Sequence, residues 1–216
     1  MLRPVLLLLL SLSLYLQANE PTRSKAKALK HVIYLHGAII EQGDLKPTHP
    51  RFGVYDYPAI LKALQVEGIK LYAEQRPKNT DPAKYAEKTI KQINGLIKQG
   101  IAAKNITLLG FSRGAGISIR VSSALKNQGL NYVIMANCGS WFEKSPELSK
   151  LQLTGHVFSL YEKTDFASSC QFLADRSSHL SSFKELEINT GKAHGAFFQP
   201  RPVWVTAVLK WILQTH

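Results

Sequence analysis

Apolar residues fall in short runs along the chain, most of them closed by glycine, proline or a polar turn. His31-Val32-Ile33-Tyr34-Leu35 is the first run, and it ends at His36-Gly37. Ile69 to Glu74, Ile106 to Leu109, Tyr132 to Ala136 and His156 to Tyr161 repeat the form. Such runs, rich in β-branched and aromatic residues, predict buried strands. Phe183 to Ile188 alternates instead and predicts a sixth strand. Between these runs the apolar spacing becomes helical. Residues 57–66 place Ile60, Leu61 and Leu64 on one face and close at Gly68. A longer helix starts at Pro82 with Asp81 as its N-cap, carries Tyr85, Thr89, Ile93, Leu96 and Ile97, and ends at Gly100. Residues 117–126 and 201–214 predict two more helices, and 170–180 is compatible with another. The stretch 38–50 reads as a long loop, and 139–154 as a short polar connection carrying Trp141 and Phe142. Strands alternating with helices predict an α/β fold, a three-layer α/β/α sandwich around a mainly parallel sheet of about six strands. Ligands of such sheets sit at the carboxyl ends of the strands.

The start of the chain departs from this rhythm. Met1-Leu2-Arg3-Pro4 precedes an almost wholly apolar stretch from Val5 to Leu16, and Gln17-Ala18 follows before Asn19-Glu20. That is the layout of a secretory signal peptide over residues 1–18, too short for a comfortable membrane span. Residues 19–30 are polar and rich in lysine and read as a flexible lead-in, which leaves 31–216 as one domain without internal repeats. No other stretch is long and apolar enough to cross a bilayer, so the expected location is secreted or periplasmic and the mature chain has no stable membrane span. The net charge of +12 falls to about +11 when Arg3 leaves with the leader. A surplus of that size favours anionic surfaces. The lysines are dispersed, however, and no zinc-finger, RRM or KH pattern is present, so nucleic acid is not an expected partner. Cys138 and Cys170 form a disulfide in an oxidising compartment, or else remain as two buried thiols. Two isolated cysteines do not make a metal site, and neither metal nor cofactor is expected.

The chemistry centres on Gly110-Phe111-Ser112-Arg113-Gly114, which leaves the strand at 106–109 and opens the helix at 117. Strand, sharp turn, helix is the setting that a G-x-S-x-G turn needs to expose a strained serine. A Cβ at position 110 or 114 would crowd the strand and helix that meet there. A serine hydroxyl is a poor nucleophile until a histidine takes its proton and an acid orients that histidine. The turn resembles the nucleophile turn of α/β-hydrolases, and that resemblance implies the chain order Ser, acid, His, with each residue at a strand's carboxyl end. Of the downstream histidines, His156 opens a strand, His179 falls in the 170–180 segment and His216 is the terminus. His194, in Gly191-Lys192-Ala193-His194-Gly195, follows the sixth strand and is the expected base. Asp165 lies just past the fifth strand and is the expected acid, with Glu162 as runner-up. The oxyanion donors expected are the backbone N–H groups of Arg113 and Ala38.

Around this set stand His36, Arg51, Arg76 and Trp141 as substrate-binding candidates. Arg51 and Arg76 leave elements near the same rim, and arginine suits bidentate recognition of a carboxylate or phosphate. One of them is expected to read an anionic group on the substrate, although both could equally be loop ion pairs. For His36 a hydrogen-bonding role behind the site and a plain core position are equal readings. Glu41, Asp44 and His49 lie in the same loop just past a strand end, where functional residues gather.

His36-Gly37, Gly110 to Gly114, Asp165 and His194-Gly195 resemble the pattern of the α/β-hydrolase superfamily across essentially the whole mature chain. The likeness is greatest to small bacterial members of the dienelactone-hydrolase-like and carboxylesterase-like kinds. It implies a serine hydrolase that cleaves a small-molecule ester through an acyl-enzyme, with no cofactor. The full family has eight strands where six are predicted here, and 139–154 is too short for a lid domain, so an open site is expected. A serine in place of aspartate argues against dehalogenase or epoxide hydrolase chemistry. Thioesterase and peptidase activities share the triad and stay open, and a non-catalytic basic binding module of the cell envelope is the reading from another class.

Overall fold

The computed structural model describes residues 28–214, so the leader and most of the lead-in lie outside the described residues. Six strands form the main sheet: β1 (Lys30–Leu35), β4 (Ile69–Ala73), β5 (Ile106–Phe111), β6 (Asn131–Met135), β7 (Thr154–Glu162) and β8 (His179–Ile188). Their order is β4-β1-β5-β6-β7-β8, and every neighbouring pair runs parallel. A small antiparallel hairpin, β2 (Thr48–His49) with β3 (Gly53–Val54), lies within the stretch read as a loop. The same stretch opens with a 3-10 turn over Ala38–Gln42. Two-residue strands leave too little alternation for a sequence pattern to register.

The two faces of the sheet follow from the strand period of two. Val32 and Tyr34 of β1, Leu109 and Phe111 of β5, and Val133 and Met135 of β6 point to one side. There they pack on α1 (Tyr57–Leu64) and α6 (Pro202–Leu213) through Ile60, Leu64, Trp204 and Val208. Ile33, Leu35, Leu108 and Ile134 point to the other side. They meet α2 (Pro82–Lys98) and α3 (Arg113–Leu125) through Ile93, Leu96, Ile117 and Val121. Strands buried on both faces must be apolar throughout, and β1, β5 and β6 are buried at every position. Asp81 caps α2 by accepting from the N–H groups of Ala83 and Lys84, with Pro82 in the first turn as its sequence requires.

Several boundaries differ from the sequence reading, three of them around Lys30 and the segment before β8. Lys30 is not lead-in: it starts β1 with 3% of its surface exposed, and its Nζ donates to Lys104 O. The helix expected over 170–180 is only α5 (Gln171–Asp175). From His179 onward the chain is already β8, which pairs with β7 from Thr154↔His179 and absorbs a bulge at Gly155/His156. Partnership with a long neighbouring strand overrides a local helical pattern, an effect no window of sequence contains. Between β6 and β7 the chain forms one short helix, α4 (Ser140–Lys144), and a 3-10 turn over Leu148–Lys150, without a lid.

Candidate active site

Ser112 sits between β5 and α3 with φ 52° and ψ −120°, outside the favoured backbone regions and partly exposed. Tertiary contacts hold this strained residue: its N–H donates to Met135 O (2.9 Å), and its carbonyl accepts from Gly116 N (3.0 Å) and Asn137 Nδ2 (2.8 Å). The flanking glycines are obligatory. A Cβ on Gly110 would come within 2.5 Å of Gly114 O and Ser118 Oγ, and one on Gly114 would collide with Leu35 O at the end of β1.

His194 lies in a 3-10 turn (Ala193–Phe197) after β8, and Asp165 lies in the loop after β7. Their side chains meet at 2.7 Å, Nδ1 to Oδ2, with exposures of 8% and 0%. A carboxylate only accepts, so Nδ1 carries the proton and Nε2 is the basic nitrogen. Rings surround the imidazole: Phe166 stacks at 4.8 Å, Phe111 tilts at 4.9 Å and Phe52 lies at 5.7 Å. Ser112, His194 and Ala38 line one pocket of about 290 Å³, whose other walls include Ile39, Phe52, Phe166 and Phe198. Asp165 stands behind it, against His194.

Glu162, the runner-up acid, has a different task. Its Oε2 accepts from Thr164 N–H and Oγ1, and its Oε1 accepts from Thr190 and Gly191 N–H. Burial pushes its carboxyl up, but these donors outweigh it and hold the group below its usual value. The carboxylate thereby staples the loop that carries Asp165 to the loop that carries His194.

Arg76 and His36, two of the substrate-binding candidates, are buried and take up the ion-pair and hydrogen-bonding alternatives of the sequence reading. Arg76 is fully buried and does not line the Ser112 pocket. Its Nε donates to Glu41 Oε1 (3.0 Å) and its Nη2 to His36 O. His36 is buried as well, with Nδ1 2.7 Å from Gly37 O and Nε2 accepting from Arg76 N–H (2.8 Å). Burial, followed by the Arg76 guanidinium, lowers its pKa to about 4, so the ring is neutral at pH 7. Arg51 is exposed and lies over the Phe52 ring, 5.3 Å from its centroid, outside the Ser112 pocket. Trp141 is 40% exposed and packs edge-on against Phe142, also outside that pocket.

Sequence reasoning missed the aromatic lining. Phe52, Phe166 and Phe198 each stand within four residues of a singled-out polar residue, a signal that was present but not decisive. It also left Glu41 unassigned. This carboxylate, 2% exposed, accepts from Arg76 through Oε1 and from Arg113 Nη1 through Oε2 (2.7 Å). It therefore ties the Ala38–Gln42 turn to the first residue of α3. Cys138 and Cys170 are bonded, with Cα atoms 5.2 Å apart. Ser168 N–H donates to Cys138 O beside the bond (2.6 Å). Among the described residues no cluster of three or more His, Cys, Asp or Glu is arranged to hold a metal, and no helix is long and apolar enough to cross a membrane.

Solved structures of similar fold agree with this architecture. An α/β serine hydrolase without a lid from Xanthomonas campestris superposes with TM-score 0.53 and 16% identity, covering 88% of this chain and 84% of that one. An arylesterase gives 0.61 at 14% identity, covering 87% and 77%. A phospholipase/carboxylesterase from Dyadobacter fermentans gives 0.54 at 15%, covering 87% and 91%. A search of curated proteins finds no match. The phospholipase/carboxylesterase family model matches residues 69–201, the stretch from β4 to the start of α6, and the chain belongs to that family of α/β hydrolases.

Proposed function

We propose that the protein is a serine hydrolase that cleaves carboxylic esters of small molecules through an acyl-enzyme on Ser112. One observation carries the reading: a strained, accessible serine shares an apolar pocket with a histidine whose far nitrogen is held 2.7 Å from a buried aspartate. As Ser112 Oγ adds to the ester carbonyl, His194 Nε2 takes its proton, and Asp165 fixes the ring and stabilises the imidazolium. The N–H groups of Arg113 and Ala38 receive the negative charge on the carbonyl oxygen. The carbon–oxygen bond to the alcohol then breaks, and His194 returns the proton to the departing oxygen. Water attacks the acyl-serine by the same steps in reverse order.

Glu41 holds the two donor-bearing segments together, so their geometry is set before substrate arrives. A pocket of about 290 Å³, walled by rings, lies at the small end for ligand sites and suits a short apolar acyl group. The disulfide fits an oxidising compartment, and we read the protein as exported, to the periplasm or beyond.

A fluorophosphonate probe tests the assignment. It should label the wild-type protein and not Ser112→Ala, and that substitution should lower kcat/KM for p-nitrophenyl butyrate about 10⁴-fold or more. Equal labelling of both proteins, or unchanged turnover, would end the reading.

A further inference from the structure

Beside the Ser112 pocket lies a second, larger cleft of about 590 Å³. Residues 51–54 of the β2–β3 hairpin form one wall, and Lys192, Gly195, Gln199 and Arg201, from the chain between β8 and α6, form the other. Its side chains include three cations, Arg51, Lys192 and Arg201, and no acidic residue. None of the three has an ion-pair partner among the described residues, whereas Arg76, Arg113 and Arg120 are each paired with a glutamate. Arg201 Nε is buried without a hydrogen-bond partner. Uncompensated guanidinium groups held in a concave site favour an anion, which supplies both the missing charge and the missing acceptors.

The cleft is tied to the catalytic pocket by construction. Phe52 lines both. The hairpin is pinned by Asp56 N–H to Phe198 O (2.9 Å) and Gln199 Nε2 to Val54 O (2.8 Å). At its tip, Phe52 O packs so close to Gly195 that a Cβ there would lie 2.6 Å away. Gly195 and Lys192 flank His194 in the chain, so the cleft opens on the side of the pocket where the histidine stands. In the mechanism above His194 protonates the departing alcohol, so the alcohol half of the ester leaves along this side.

We infer that the Arg51–Lys192–Arg201 cleft binds the alcohol portion of the substrate, and that this portion carries an anionic group, a carboxylate or a phosphate. The inference rests on the ester hydrolase reading for the orientation of the ester, while the cleft's preference for anions stands apart from catalysis. Substrates are then two-part molecules, with a short apolar acyl group on Ser112 and a charged alcohol beyond Phe52.

Binding to the full-length Ser112→Ala protein separates the two ideas. The probes are 3-(butyryloxy)benzoate, 3-(butyryloxy)phenyl phosphate and, as the neutral reference, methyl 3-(butyryloxy)benzoate. At least one anionic ester should bind about tenfold tighter than the neutral one, and the gap should narrow as salt is raised. The stronger of the two anions identifies the group. Arg51→Gln/Lys192→Gln, which alters only exposed side chains, and Arg201→Gln should each shrink the gap, while Lys98→Gln, exposed on α2, should leave it intact. In the protein that retains Ser112, the ratio of kcat/KM for anionic over neutral ester should follow the same order. Equal affinity for all three probes, or a gap that survives both sets of substitutions, overturns the proposal. Selective binding without turnover or probe labelling would retain the cleft and sink the hydrolase reading instead.

Discussion

Glu41 shows how much a single buried charge can organise. Its two oxygens face two guanidinium groups, one wholly buried on Arg76 and one at the head of α3 on Arg113. Removing one member of a buried ionic group leaves the others uncompensated, which costs about 3–5 kcal/mol. Glu41→Gln keeps the shape and loses the charge, so it should lower the unfolding free energy by about 3 kcal/mol in urea titration. Under the proposed mechanism the same substitution should lower kcat more than it raises KM, because the segments it joins carry the N–H groups assigned there to the oxyanion. A stability loss with unchanged kcat would restrict Glu41 to a structural role. From sequence, Glu41 reads only as a polar residue past a strand end. Its partners lie 35 and 72 positions away, and no local pattern pairs them.

At the scale of elements, the six strands of the main sheet and the longer helices are legible because each carries its own apolar period, and the long helix its own cap. The loops are not. Their positions depend on links between distant segments: Glu162 joins the Asp165 and His194 loops, and the Cys138–Cys170 bond joins the exit of β6 to the start of α5. The disulfide spans 32 residues, a stretch that contains β7 and Asp165. Closing a loop of that length stabilises the fold by about 3–4 kcal/mol through the unfolded chain. Cys138→Ala/Cys170→Ala should therefore lower Tm by roughly 10 °C. Reductant should bring the wild-type protein to a similar value and leave the variant unmoved. A variant that melts with the oxidised protein would show that hydrogen bonds alone, such as Ser168 N–H to Cys138 O, hold this corner.

For the whole molecule, buried His36 couples stability to pH. In the unfolded chain its imidazole takes a proton near 6.5, whereas in the fold burial and then the Arg76 guanidinium lower that value to about 4. The unfolded state therefore binds the extra proton first on acidification. The contribution of His36 is complete above pH 6.5 and is lost progressively as the pH falls to 4, by about 3 kcal/mol. Urea unfolding at pH 7.5 and 4.5 should show this loss in the wild-type protein and a smaller one in His36→Gln. An unchanged pH dependence in the variant would assign the loss to another group.

The amino-acid sequence by itself determined the order of strands and helices, the parallel three-layer sheet and the strained turn at Ser112. Those features depend on apolar period, on capping residues and on glycines whose missing Cβ is a local requirement. It also put Asp165 and His194 just past strand ends, since in a parallel sheet every carboxyl end opens on one rim. Only the tertiary structure decided which polar residues face solvent. It turned Arg76 and His36 inward as the framework behind Ala38, and it assigned Glu162 to hold loops. It also gathered Arg51, Lys192 and Arg201 from separate segments into one unpaired cationic cleft. Burial and charge pairing arise from the packing of residues far apart in the chain, and a linear pattern carries no record of which partner a charge will meet.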